Sequence, residues 1–286
     1  MINNIKCLTK ACDNLGISYH FIDKEKNLVG VELAGQTLYF QLNHTPFNQD
    51  AVTNICLDKM HTYELLSSVV RMPQTISFLS WDVQEEYKQY LTYQSGEEAV
   101  THIEEVFDYP VVVKKNRGSL GIHVYLCSDK ATALSSLESI FNPASKDYDY
   151  VALAQQFVPT QEEYRLVCAY GEPVLAYRRG NAASEFNHQY WEQGEEAVLI
   201  KDITLIDELY QFVKPIFSKF NIEFVGFDII RATSGQLYLL ELNSVPQFNH
   251  IIENHGIDCI VEVYEKTLQL HCAKHGVSVA GLSYKK

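Results

Sequence analysis

Residues Phe224 to Pro246, FVGFDIIRATSGQLYLLELNSVP, constrain this chain more than any other stretch. Two apolar, β-branched-rich runs flank the turn signal Thr233-Ser234-Gly235-Gln236, which is the pattern of a β-hairpin. Side chains alternate faces along a strand, so Glu241 and Asn243 point the same way. With Ser234-Gly235 as a two-residue loop, Asp228 lies directly opposite Glu241. All three oxygen-bearing side chains then share one face, flanked by Ile230 and Leu239. Two carboxylates in a mostly apolar strand pair are costly unless something positive compensates them. Magnesium suits that role because it takes few protein oxygens together with substrate phosphates; manganese is the alternative. The same residues also fit a solvated sheet face on which Asn243 merely ends a strand.

At 286 residues the chain can bury a good core in two or three compact lobes. Its formal net charge of -13 argues against nonspecific nucleic-acid binding, which needs a basic footprint. No run of 18 or more apolar residues marks a membrane span (roughly 20 are needed). The stretch MINNIKCLTKACDNLG lacks the apolar core of a signal peptide. The 7 cysteines are scattered and none forms CxxC, which fits buried thiols in a reducing cytoplasm. No neighbouring residue supports a catalytic cysteine.

Along the chain, residues 1–58 read as a short α/β lobe. A helix near Lys6–Leu15 precedes apolar runs at Ser18–Ile22, Leu28–Leu33 and Gln36–Leu42. A second lobe spans residues 59–149. It opens with a helix over Asp58–Val69 and continues with a strand at Thr75–Leu79 and an amphipathic helix at Gly96–Phe107. Strands at Val111–Lys115 and Ile122–Cys127 and a helix at Ser128–Phe141 complete it. The third lobe, residues 150–286, opens with a strand at Tyr150–Val158. Strands at Glu163–Ala169 and Pro173–Arg179, a long polar loop over Asn181–Glu196 and a helix at Ile206–Phe220 precede the hairpin. One or two helices over Asn249–His275 follow it, broken near Gly256.

Val111-Val112-Val113-Lys114-Lys115 leads into the loop Asn116-Arg117-Gly118-Ser119-Leu120-Gly121. A glycine-bearing turn lets backbone N–H groups approach phosphate oxygens closely. The GxxxxGK[ST] spacing is absent and a strand follows where a Walker A loop needs a helix. Alone, the loop reads equally well as a plain hairpin turn.

Four blocks occur in one order: VVVKKNRGSLGIHV, ALAQQFVP, EEYRLVCAYGEPVLAYRR and GFDIIRATSGQLYLLELNSVP. Together they resemble the ATP-grasp carboxylate–amine ligases. The nearest branch holds the ribosomal-protein glutamate ligase, prokaryotic glutathione synthetases and the ligase module of cyanophycin synthetase. The resemblance runs from Lys59 to Pro246. It implies an α/β (α+β) ATP-grasp fold, in which two α/β lobes grip ATP behind a short N-terminal α/β lobe. It also implies formation of an amide or peptide bond through an acyl phosphate, on an amino acid or peptide.

The resemblance assigns roles by position. Lys59 and Lys114 match the phosphate-binding lysines, and Arg117, Gly118, Ser119 and Gly121 match the loop that covers the phosphates. Gln155, Gln156, Phe157 and Val158 match the hinge whose main chain reads adenine, and Glu163 the acid that holds the ribose. Asp228, Glu241 and Asn243 match the magnesium ligands. Arg165 and Arg179 match basic positions where the acyl phosphate forms, a role suited to the two-donor guanidinium fork. Arg178 should face the other way.

Three positions depart from the family pattern: Lys115 for a proline, Gln156 for a glutamate, and the arginine-free loop Phe186–Gly194. That loop leaves the acceptor side open, with Asn187 or His188 as a phosphate or substrate contact. Other readings are an ATP-binding regulatory protein without turnover, an ATP-grasp kinase, or an unrelated α/β protein. The expected partners are a small-molecule amino acid or peptide, with no nucleic acid and no membrane, and with a homo-oligomer left open.

Overall fold

The computed structural model describes residues 1–119, 121–179 and 196–277. The loop Phe186–Gly194, with Asn187 and His188, lies outside the described residues, as does Leu120.

Helix α1 (Asn3–Leu15) buries Ile5, Leu8 and Cys12 at helical spacing and stops at Gly16, whose φ of 67° is the left-handed conformation that ends helices. Strands β1 (Tyr19–Phe21), β2 (Leu28–Leu33) and β3 (Gln36–Gln41) form an antiparallel sheet. Helix α2 (Asp50–Leu57), which the sequence reading does not anticipate, runs into α3 (Lys59–Leu66), capped by Asp58.

Next come β4 (Thr75–Leu79), α4 (Gly96–Val106), β5 (Val111–Lys115), β6 (Val124–Cys127), α5 (Lys130–Ile140) and β7 (Val151–Gln156). Then follow β8 (Thr160–Ala169), β9 (Glu172–Arg179), β10 (Ala197–Leu199), α6 (Ile203–Lys219), β11 (Phe224–Ala232) and β12 (Leu237–Asn243). Helices α7 (Asn249–His255) and α8 (Asp258–Lys274) close the described chain, parted at Gly256 as expected. No helix among the described residues is long and apolar enough to cross a membrane.

Two antiparallel sheets frame a cleft. One is four-stranded, in the order β4-β7-β5-β6; the other is five-stranded, in the order β10-β9-β8-β11-β12. β7, expected to open the third lobe, instead hydrogen-bonds between β4 and β5. Its side chains explain the choice. Ala152 and Ala154 lie in the core beneath α4 and α5, beside Phe78, Val111 and Val113.

The five-stranded sheet is buried on one face by α6, α2 and α3, around Leu166, Phe227, Ile229 and Leu239. Its opposite face is covered at one end only, where Val167, Ala169 and Tyr177 meet α1, α7, α8 and the first sheet. The uncovered end carries the charged residues described next.

Candidate functional site

Asp228 and Glu241 are cross-strand partners, and Asn243 stands opposite Gly226. The route to that register differs from the expected two-residue loop. Ala232 and Gln236 close the turn around Thr233-Ser234-Gly235, with Gly235 at φ 85°. Such a three-residue loop moves the pairing by one residue, so that Ile230 faces Tyr238 rather than Leu239. A β-bulge between Asp228 and Ile229 takes up the difference, with Leu240 as the extra residue, and restores the Asp228–Glu241 pair. Leu239 therefore lies in the core on the far face, and Tyr238 and Leu240 flank the carboxylates with Ile230.

Asp228 is only 2% exposed and is saturated with donors. Arg165, its cross-strand neighbour on β8, grips both carboxylate oxygens through Nε and Nη2, the latter at 2.8 Å. Arg179 Nη1 donates to Asp228 Oδ2 at 3.1 Å and to Glu163 Oε1 at 2.9 Å. Asn243 Nδ2 reaches Asp228 Oδ2 at 3.2 Å and Glu241 Oε1 at 3.4 Å. Arg178 faces the other way, as expected, and pairs with Glu162. Gly226 makes room for this arrangement: a Cβ there would stand 3.0 Å from Arg165 Cδ and 3.4 Å from Pro246 Cβ.

Lys59 begins α3 and projects between the sheets. Its Nζ lies 3.4 Å from Glu241 Oε2 and donates to the Gly118 carbonyl at 2.8 Å. Lys114, on β5, is 7% exposed and donates to Gln155 Oε1 at 2.8 Å; Gln155 in turn donates to Thr75. Burial, then repulsion from Lys59, lowers the Lys114 pKa to about 8 against the attraction of Glu241. Burial works against the charge of Glu241 too, but Lys59 and the neighbouring cations outweigh it and hold its carboxyl low. At Asp228 burial raises the carboxyl, opposed by Arg165 and Arg179. Four cations thus meet three carboxylates, Glu163, Asp228 and Glu241, which leaves the cleft positive in a protein of net charge -13.

The loop residues Arg117, Gly118 and Ser119 are exposed beside this cluster, and Gly121 takes φ 68°. At the other end of the cleft, Val158, Ile230 and Ala232 form a small apolar patch with Tyr238 and Leu240. The Arg71 guanidinium lies 5.7 Å from the Tyr238 ring centroid. Gln155 and Gln156 end β7 in register with Val112 and Val111 of β5, and the Gln156 N–H donates to the Gln74 carbonyl. Phe157 and Val158 follow the last residue of β7, and Val158 joins the patch.

The residues fit a divalent ion in kind. Among the described residues no group of three His, Cys, Asp or Glu side chains could hold a metal, so an ion at this pair would need the Asn243 amide oxygen as its third donor. Two carboxylates and an amide are hard oxygen donors of the type magnesium takes. Glu241 meets Lys59 and the Asn243 amide, whereas Asp228 is already bound by two guanidiniums.

The sequence reading gives no role to Gly226, to Asn116 or to the Arg71–Tyr238 contact. Gly226 carries a signal, a glycine within a strand where a bulky side chain passes close by. The other two carry none, because they depend on contacts between distant segments.

Residues 76–266 match the family described as the RimK-like ATP-grasp domain. No curated protein matches the chain. Among solved structures it is similar to a RiPP-associated ATP-grasp ligase from Chryseobacterium gregarium in complex with ADP and a leader and core peptide. That likeness has 11% identity and a TM-score of 0.58, over 95% of this chain and 93% of that one. It is also similar to D-alanine–D-alanine ligase from Bacillus anthracis complexed with ATP, at 18% identity and TM-score 0.52, over 78% of this chain and 67% of that one. A RimK domain ATP-grasp protein from Sphaerobacter thermophilus DSM 20745 matches at 18% identity and TM-score 0.50, over 78% and 70%. At these identities the likeness speaks for the fold.

Proposed function

The chain belongs to the RimK-like ATP-grasp family, and from that premise we propose that it joins the carboxylate of an amino acid or peptide to an amine, using ATP and magnesium. An amine cannot displace oxide from a carboxylate at a useful rate. Transfer of the γ-phosphoryl group to a carboxylate oxygen makes an acyl phosphate. The amine nitrogen then attacks the carbonyl carbon and the bond to the phosphate oxygen breaks. The products are an amide, ADP and phosphate. No protein nucleophile takes part, in keeping with cysteines that are free and mostly buried.

The observation that carries the reading is the convergence of Lys59, Arg165 and Arg179 on the Asp228–Glu241 pair, with Lys114 electrostatically coupled to it. Phosphoryl transfer depends on positioning and charge neutralisation, which such a cluster supplies. Lys59 and Lys114 neutralise phosphate oxygens. Gly118, with Arg117, Ser119 and Gly121, covers them and excludes water that would hydrolyse the acyl phosphate. The apolar patch at Val158, Ile230 and Tyr238 takes the adenine ring, read by the main chain of Phe157 and Val158. Glu163, beside it on β8, takes the ribose.

Arg179, the more exposed of the two arginines, holds the substrate carboxylate, and Arg165 keeps Asp228 ionised. Asp228, Glu241 and Asn243 would hold magnesium, which supplies charge neutralisation between the terminal phosphates when bound. Seven free thiols support a cytoplasmic setting.

A peptide acceptor is supported by the near end-to-end correspondence with the peptide-bound ligase. The test incubates the protein with ATP, magnesium and a mixed pool of amino acids and peptides, and analyses the products by mass spectrometry. A product equal to acid plus amine minus water, formed with stoichiometric ADP, is expected. A stable phosphorylated product, or bound ATP that is never turned over, sinks the ligase reading.

A further inference from the structure

Helix α3 begins with Lys59, and the first amides of a helix have no partner within it. The three donors of this first turn that lack a helical partner, on Lys59, Met60 and His61, are shared between two residues. His61 N–H donates to Asp58 Oδ1 at 2.9 Å, and the Asp58 carbonyl takes the first helical bond, from Thr62 N–H at 3.0 Å. Met60 N–H donates to the Asn116 side-chain oxygen at 2.9 Å, and Lys59 N–H to the Asn116 carbonyl at 3.4 Å. Asp58 is the ordinary N-cap, next to the helix in sequence. Asn116 comes from the other side of the cleft, 56 residues further along the chain.

Asn116 is itself held. It is 3% exposed, and its own N–H donates to the Val151 carbonyl at 3.1 Å, in the four-stranded sheet. The next amide, Arg117 N–H, donates to buried Asp149 at 2.7 Å. The root of the phosphate-covering loop is therefore fixed to one sheet. By contrast, α3 buries Leu66 in the core of the five-stranded sheet. The Asn116 contact crosses between the two bodies. Two residues after Asn116 in the same loop, the Gly118 carbonyl accepts from Lys59 Nζ. The loop thus holds Lys59 by its backbone through Asn116 and by its ammonium through Gly118.

We propose that Asn116 is a positioning residue that latches the phosphate-covering loop to the N-terminus of α3, and so fixes Lys59 where it meets the nucleotide's phosphates. The inference rests on the nucleotide-site reading above. An amide suits this place better than a carboxylate. It accepts from Met60 N–H without a charge that would compete with phosphate for Lys59.

The experiment is a double-mutant cycle on the full chain, with Asn116→Ala, Lys59→Ala and the pair, reading ATP–magnesium affinity by calorimetry. Lys59→Ala and Asn116→Ala should each weaken binding about tenfold or more, and the pair should be no weaker than Lys59→Ala alone. Hydrogen exchange supplies the second readout. The Met60 amide should lose protection in Asn116→Ala and regain it in Asn116→Asp, which keeps the acceptor. Asn116→Asp also serves where the alanine variant fails to fold: retained Met60 protection with weakened ATP binding is expected of it. Unchanged affinity in a folded Asn116→Ala, or losses that add in full in the pair, overturns the latch. If Lys59→Ala itself leaves ATP binding intact, the nucleotide-site reading falls first and the latch falls with it.

Discussion

Asp228 and Glu241 face each other across β11 and β12 although the hairpin that joins them closes through a three-residue turn; the extra residue Leu240 brings them back into register. The pair is therefore set by two compensating features rather than by the turn alone. It is also asymmetric. Asp228 is buried under two guanidiniums, while Glu241 faces one ammonium and the Asn243 amide.

That asymmetry separates the two carboxylates experimentally. Glu241→Gln keeps an oxygen acceptor beside Lys59 but removes the charge that offsets Lys59 and buried Lys114, so the chain should fold with a lowered melting temperature. Its ATP turnover should fall by roughly 100-fold or more, the scale of losing one preorganised charge contact in phosphoryl or acyl transfer. Raising magnesium should not restore it. Full turnover in a folded Glu241→Gln would remove this residue from the metal site.

Arg165 and Arg179 should part in the same way. Arg165 grips Asp228 with two nitrogens and is buried. Arg165→Ala leaves the buried carboxylate with only Arg179 and Asn243 on one of its oxygens and should cost up to about 3–5 kcal/mol in urea unfolding. Arg179 shares a single nitrogen between Glu163 and Asp228 and is partly exposed. Arg179→Ala should lose less than half as much stability but most of the turnover. Equal stability losses for the two variants would contradict this division.

Gly226 offers a finer probe of the same cluster. Its backbone is ordinary for a strand, so alanine there meets a steric limit and not a conformational one. The added methyl stands 3.0 Å from Arg165 Cδ, and the guanidinium must move on Asp228 to admit it. Gly226→Ala should cost on the order of 1–3 kcal/mol, the usual cost of overpacking, and reduce turnover more than ATP affinity. A variant with parent kinetics would mean that the position of Arg165 on Asp228 is not critical.

Much of this site can be read from the sequence because its parts are local. The hairpin places Asp228, Glu241 and Asn243 by strand alternation, and Lys59 and Lys114 start or end clear elements. What the sequence conceals is long-range. The Leu240 bulge is invisible because nothing in LYLLELN marks one leucine as the unpaired one. The pairing of β7 with β4 and β5 depends on which sheet accepts two alanines, and not on β7 itself. That pairing also engages the Gln156 N–H, within the hinge that the resemblance assigns to the base. Helix α2 escapes notice because Asp50–Leu57 buries only Val52 and Cys56, too few positions to set a period. Asn116 is a single polar residue in a loop, and its value appears only when α3 is placed against it.

Lys114 supplies a prediction in pH. Burial and Lys59 lower its pKa to about 8, below the ordinary lysine value, so its ammonium is charged at pH 7 and neutral at pH 9. Triphosphate prefers the charged form. Affinity for ATP should be flat below pH 8 and weaken as pH rises through it, with proton uptake on binding above that pH. Lys114→Arg, charged throughout, should abolish the dependence if the larger head group is accommodated. Stability moves the opposite way. Between about 8 and 10.5 the unfolded chain binds more protons at this lysine than the folded one, so its contribution to stability rises with pH across that window. At pH 7 the buried ammonium is therefore a cost to the fold, and Lys114→Met should stabilise the chain by on the order of 1–3 kcal/mol while abolishing tight ATP binding. Calorimetric melting with nucleotide titration at pH 7 and pH 9 tests both halves. A lysine placed only for structure would show destabilisation in the methionine variant and no pH dependence in binding.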